Sequence, residues 1–146
     1  MRALIQRVSK ASVEIDGKIN GAINSGMVIL LGITHNDTLD DVKYVAEKCL
    51  NLRIYTDKAD KMNLSLLDTK GEVLIISQFT LYGNTTKGRR PGFSDAAQPQ
   101  QAIPLYEAFI KKISQSGLKV ATGIFGAKMA VNIHNDGPVT LMIESK

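Results

Sequence analysis

MVILLGI, residues 27–33, is an unbroken apolar run with no charged residue in it. A run of this length without polar alternation reads as a strand buried on both faces. VLIISQFT, residues 73–80, reads as a second buried strand. Upstream, ALIQRVSKASVEIDG (residues 3–17) alternates, with a break, through Leu4, Val8, Val13 and Ile15. Asp16-Gly17 is a hairpin signal, and KINGAI follows it, so two antiparallel strands are expected to open the fold. Downstream, a helix is expected from Thr38 to about Tyr55. Thr38 and Asp41 resemble a capping box, and Leu39, Val42, Val45, Ala46, Cys49 and Leu50 share one face. A polar segment then holds a short strand near Leu64–Leu67 and a turn at Asp68–Gly71.

A second helix is expected over roughly Gln100 to Ser116, with Ile103, Tyr106, Phe109, Ile110 and Ile113 as its apolar stripe and Gly117 as its cap. Pro104 must either lie in the first turn or kink that helix. The tail is strand and turn, with Met129, Val131 and Ile133 on one face and a tight turn at Asn135-Asp136-Gly137-Pro138 feeding a final strand. The pattern implies one α+β domain over residues 1–146. It is expected to be a largely antiparallel, curled, barrel-like sheet packed with two main helices.

The chain has 146 residues and a formal net charge of +4, a mildly basic balance that fits an RNA partner and fits plain solubility equally well. A single cysteine, Cys49, excludes an internal disulfide, and its place on an apolar helix face reads as a buried thiol. No signal-peptide pattern opens the chain and no apolar run reaches membrane-spanning length, so a cytoplasmic location is expected and no membrane partner. No nucleophile elbow, P-loop or dinucleotide fingerprint is present. The two histidines, His35 and His134, have no ligand partner at a useful spacing, so no metal and no cofactor is expected.

Three stretches carry candidate chemistry. Ser77-Gln78-Phe79-Thr80 brings polar groups and main-chain N–H donors to the end of a buried strand. Thr80 is a nucleophile by type, but nothing in the motif would activate it. On composition alone, the preferred reading of the motif is a strand running out into a turn, with Ser and Thr satisfying local backbone. KGRRPGF, residues 87–93, sets cations and an aromatic in a loop, the composition that holds phosphates and stacks a base, or a solvated basic loop. Gly137-Pro138 removes an N–H just where a strand needs one, and leaves carbonyl acceptors suited to an ammonium group.

SQFTLYG together with NDGPVT resembles the pair of signature motifs of the D-aminoacyl-tRNA deacylases. The N-terminal MRALIQRV, the GRRPGFSDAA loop and Pro99, Ala102, Leu105, Tyr106, Glu107 and Phe109 are similar to that family too, so the resemblance spans the chain. Gly92 departs from it, standing where the family often has serine. The resemblance implies hydrolysis of the ester joining a D-amino acid to the 3′ end of tRNA, with glycyl-tRNA as an expected second substrate. It implies a homodimer in which a cis Gly137-Pro138 of one subunit reaches the other's pocket of Ser77, Gln78, Phe79 and Thr80. Handedness would then be judged by clash: with ammonium and ester carbonyl both held, an L side chain is driven into backbone. Arg89 and Arg90 become phosphate contacts, and Arg7 a support for the Gly-Pro turn. Two mechanisms stay open, attack by Thr80 or a backbone oxyanion hole with help from the tRNA 2′-hydroxyl. The preference is for the second, since no base for Thr80 is evident. The rival classes are a non-catalytic RNA-binding module of the same fold and, less favoured, an ester hydrolase using Ser77 and His134.

Overall fold

The structure is a computed structural model and describes residues 1–145. Strand β1 (Arg2–Ile15) is the spine. One edge of it pairs antiparallel first with β3 (Gly26–Gly32) and then with β2 (Lys18–Ile23). The other edge pairs along nearly its whole length with β8 (Ala130–Glu144). β3 then pairs with β6 (Glu72–Ser77), and β6 with β7 (Val120–Thr122). Both of these pairings are parallel, so the sheet is mixed, not largely antiparallel.

The reason lies in the connections. Helix α1 (Leu39–Asn51) falls between β3 and β6, and α3 (Pro99–Ser114) between β6 and β7. A strand that returns through a helix comes back parallel. The continuous apolar runs of β3 and β6 are what parallel strands covered on both faces look like. Met27, Ile29 and Leu31 of β3 and Val73 and Ile75 of β6 pack with the helices. Val28 of β3 and Leu74 and Ile76 of β6 point the other way, into a second cluster with Val8, Ala11, Val13 and Ile23. The sheet curls around that second cluster until β2 approaches β7, where the Asn20 side-chain amide donates to the Thr122 carbonyl (2.8 Å). Gly21 lies so close to Thr122 that a Cβ there would stand 3.1 Å from its carbonyl oxygen.

Several boundaries differ from expectation. α1 stops at Asn51, and Tyr55–Thr56 (β4) forms a small ladder with Met62–Leu64 (β5). Residues 66–69 are not strand but a short helix, α2, because Ser65 and Asp68 form a complete capping box. β6 ends at Ser77, and Phe79–Tyr82 turn into a 3₁₀ helix. Helix α3 begins at Pro99, its first position, where a missing N–H costs nothing. Pro104 lies within that helix, and Ile103 is partly exposed, outside the buried stripe of Ala102, Leu105, Tyr106, Phe109 and Ile113. The expected turn at 135–138 does not start a new strand: β8 pairs with the same strand, β1, on both sides of residues 136–139. Cys49 is fully buried, and burial pushes its thiol up.

At the end of the barrel away from the carboxyl ends of β3 and β6, Glu72 ties three segments together. It accepts the Asn24 N–H at 2.8 Å and meets Lys119 Nζ at 2.9 Å. The Asn24 N–H above all, with Lys119 helping, holds this carboxyl below its usual 4.5. A lowered folded-state value means that the stabilisation is present above the unfolded value and lost as pH falls through the folded one. Glu72→Gln is therefore expected to lower stability at pH 7 and to flatten the loss of stability below about pH 4.5, read from urea midpoints at a series of pH values.

Candidate active site

The Ser77–Thr80 motif sits at the carboxyl ends of the parallel strands β3 and β6. Open sheets with parallel strands place ligand sites at that end. The pocket there is walled by Leu31, Ile33, Ile76, Ala97 and Ala102 and, from later in the chain, by Phe125, Gly126, Ala127, Met129 and Val131. Ser77, Gln78 and Phe79 complete it. None of the described residues lining it carries a titratable side chain. Phe125 is held by Tyr106, whose ring lies 5.8 Å from it and whose hydroxyl donates to the Ile75 carbonyl at 2.9 Å. Burial pushes the Tyr106 phenol up to about 12, so it stays neutral.

Gln78 is the last residue tied to the sheet, its N–H donating to the Leu31 carbonyl at 2.8 Å. The first bond of the 3₁₀ helix then runs from the Leu81 N–H to the Gln78 carbonyl. The N–H groups of Phe79 and Thr80 come before that bond, and no turn, loop or side-chain acceptor among the described residues receives them. Arg2 fixes the far side of the turn. Its guanidinium donates to the Leu81 carbonyl at 2.9 Å and lies over the Tyr82 ring. Thr80 is exposed at the rim and is not among the lining residues; its hydroxyl oxygen accepts a hydrogen bond from the Gln78 side-chain amide. No carboxylate or imidazole among the described residues is bonded to it.

Gly137 and Pro138 lie elsewhere. Gln6 pairs with Thr140 and Val8 with Asn135, so a single β1 residue, Arg7, stands opposite four residues of β8, 136–139. The surplus leaves the ladder as an exposed bulge with a cis Gly137–Pro138 bond. The Arg7 side chain, only 11% exposed, lies beneath it. Its Nε donates to the Asp136 carbonyl at 3.2 Å and stands 3.3 Å from the Asp136 carboxylate, while Nη1 donates to the Ile54 carbonyl at 2.6 Å. Gly137 has φ +120°, and a Cβ there would come within 2.8 Å of the guanidinium, so a larger residue would be strained and would have to push Arg7 aside. The Val139 N–H closes the far side on Asn135 Oδ1 at 3.3 Å. The bulge is not part of its own chain's pocket wall.

Arg89 and Arg90 are exposed, with Lys87, on a loop whose neck is closed by two main-chain bonds between Asn84 and Gly92. A Cβ at Gly92 would meet nothing within 4 Å, so serine would fit there as well. The two histidines stand apart: His35 meets the Ser94 carbonyl at 2.6 Å, and His134 pairs with Lys10 on the outer face of β1 and β8. No group of metal-ligating side chains is present among the described residues. Sequence reasoning missed the far wall, Phe125 to Met129, and missed Arg2. The glycine pair of GIFGAKM was the available signal for the wall, since a pocket lip needs backbone without bulk.

The chain was compared with known proteins. The model of the family described as D-Tyr-tRNA(Tyr) deacylase matches residues 4–144. A protein of Fervidobacterium nodosum named D-aminoacyl-tRNA deacylase is 60% identical over 146 residues, covering 100% of this chain and 98% of that one. One of Thermus aquaticus with the same name is 57% identical over 145 residues, covering 99% and 95%. Among solved structures, the "c-Myc DNA Unwinding Element Binding Protein" superposes with a TM-score of 0.94 at 39% identity, over 100% of this chain and 99% of that one. A "probable eukaryotic D-amino acid tRNA deacylase" superposes at 0.85 with 18% identity over 99% and 98%, a likeness of fold alone.

If Arg7 holds the bulge, Arg7→Met is expected to speed amide hydrogen exchange at Val139 by about tenfold or more while leaving Ile29 in β3 protected, since one lost charge-assisted bond is worth roughly 1.5–3 kcal/mol. Equal exchange at Val139 in both proteins would show the bulge to be self-supporting. With the parallel strand ends, the SQFT turn and the glycine-proline bulge in place, and matches running nearly end to end, the chain belongs to the D-Tyr-tRNA(Tyr) deacylase family, hydrolases that act on aminoacyl-tRNA.

Proposed function

We propose that this protein hydrolyses the ester between a D-amino acid and the 3′ end of tRNA, releasing both, and that main-chain atoms do most of the work. The observation that carries the mechanism is a pocket whose described lining residues have no titratable side chain, beside two N–H groups with no acceptor among the described residues. The ester carbonyl oxygen is received by the N–H groups of Phe79 and Thr80. Water adds to the carbonyl carbon, negative charge builds on that oxygen, and the bond to the ribose 3′ oxygen breaks as a proton reaches it. Donors aimed at the developing charge are worth on the order of 10²–10³ in rate each. The tRNA's own 2′-hydroxyl assists the water, since the site offers no base. Thr80 is occupied with Gln78, which argues against it as nucleophile.

The bulge acts on a second copy of the chain. It projects from its own protomer and is absent from its own pocket wall. On both sides of the bulge, over residues 130–135 and 140–144, the outer edge of β8 is unpaired among the described residues, with Leu141 and Met142 exposed at 41% and 46%. Long bare edges of that kind invite pairing. In the homodimer, carbonyls of Gly137-Pro138 receive the substrate ammonium, and Arg7 keeps them in place. With ammonium and ester carbonyl both fixed, the D side chain points outward and an L side chain meets backbone. Glycine has no side chain to reject, so glycyl-tRNA is a second substrate. Action on tRNA supports a cytoplasmic location, and no described helix is long and apolar enough to cross a membrane.

A reading as a nucleic-acid-binding module without hydrolysis draws on the exposed cations of residues 87–90 and on the printed name of the 39%-identical structure. Deacylation of D-Tyr-tRNA, L-Tyr-tRNA and Gly-tRNA separates the readings: release of D-tyrosine and glycine but not L-tyrosine is expected, and release of none would favour the binder. Thr80→Ala should keep D-tyrosine release within about tenfold, whereas loss of a true nucleophile costs about 10⁶. Arg7→Ala should narrow the gap between D and L substrates; an unchanged ratio would remove Arg7 from the selectivity.

A further inference from the structure

The loop at residues 84–93 joins the pocket through a pair of aromatic rings that the chemistry above does not use. Phe79 and Phe93 meet edge to face, centroids 5.1 Å apart and planes at 71°. Both are well exposed, at 55% and 39%, an unusual state for phenylalanine in a folded chain. The Phe93 ring rests on the backbone at Gly83, where a Cβ would come within 3.1 Å of it. Phe79 borders the pocket, while Phe93 follows directly on the loop that carries Lys87, Arg89 and Arg90. None of these three cations has a carboxylate partner among the described salt bridges.

Exposed rings in line with unpaired cations form the pattern that binds single-stranded nucleic acid: bases stack on the rings and phosphates lie on the charges. We infer that Phe93, braced against Phe79, is a stacking platform for the unpaired nucleotides preceding the aminoacylated 3′ residue, with the 87–90 cations on their phosphates. The inference rests on the deacylase reading for its substrate and adds a positioning residue outside the pocket. The edge-to-face arrangement leaves a ring face open to a base, and the closed neck between Asn84 and Gly92 keeps the cations near it. Any base offers a flat face, so the platform grips without reading sequence.

The test compares two esters of one D-amino acid, D-Tyr-tRNA and 3′-O-(D-tyrosyl)adenosine, which lacks the preceding nucleotides. Phe93→Ala and Phe93→Leu, the latter keeping apolar cover over Gly83, should lower kcat/KM on the tRNA relative to the adenosine ester by on the order of tenfold, mainly through KM. Phe93→Trp should restore the ratio. A ratio unchanged from wild type, whether both activities fall together or neither falls, overturns the platform. Should the wild type cleave neither ester, it is the deacylase reading that fails. A fluorescent ribo-oligonucleotide ending in CCA then decides the platform alone, which stands if Phe93→Leu weakens binding and Phe93→Trp does not, and falls otherwise.

Discussion

Four residues of β8 face one residue of β1, and the candidate site rests on how that mismatch is resolved. A ladder can absorb one extra residue as a simple bulge; an excess of three must leave the sheet. Their carbonyls would be free to wander but for Arg7, which lies underneath and donates both to Asp136 in the bulge and to Ile54 beyond α1. A buried guanidinium needs acceptors, and the bulge needs donors. Each answers the other's need, and the bulge is held at the surface. The same β1 strand, through β3, sets the position of the parallel strand ends where the pocket opens. One strand therefore supports both halves of the arrangement.

The pocket is built by a different constraint. β3 and β6 are apolar on both faces because one face meets the helices and the other fills the barrel. At their ends Ile76, Met129 and Val131 belong to the inner cluster and to the pocket wall at once. The site is thus the open end of a hydrophobic core, and apolar walls strengthen any dipole aimed into them. The described lining residues carry no ionisable side chain, and the N–H groups at the start of the 3₁₀ turn have no acceptor among the described residues.

Much of this was legible in the chain. The apolar runs, the Asp16-Gly17 turn and both long helices could be read because each follows from local pattern. Strand direction could not, because it depends on the helical crossovers and not on the runs themselves. The strand expected near Leu64–Leu67 is met only at Leu64, because Leu66 and Leu67 look like strand while Ser65 and Asp68 cap a helix. The bulge reads in the sequence as a tight turn feeding a final strand: Asp136-Gly137 carries the same local signal in both cases, and only β1 pairing on both sides separates them. The strand-end motif was visible as polar residues after an apolar run, but the far wall of the pocket, dozens of residues later, had no local mark beyond its glycines.

The central claim is that main-chain atoms of two copies hold the substrate. The most direct measurement is a crystal structure with a non-hydrolysable amide analogue, 3′-deoxy-3′-(D-tyrosylamino)adenosine. The account predicts the amide carbonyl at the N–H groups of Phe79 and Thr80, and the ammonium on carbonyls of the partner's Gly137-Pro138 turn. An ammonium held by a side chain of the same protomer, with the turn remote from the ligand, would contradict it.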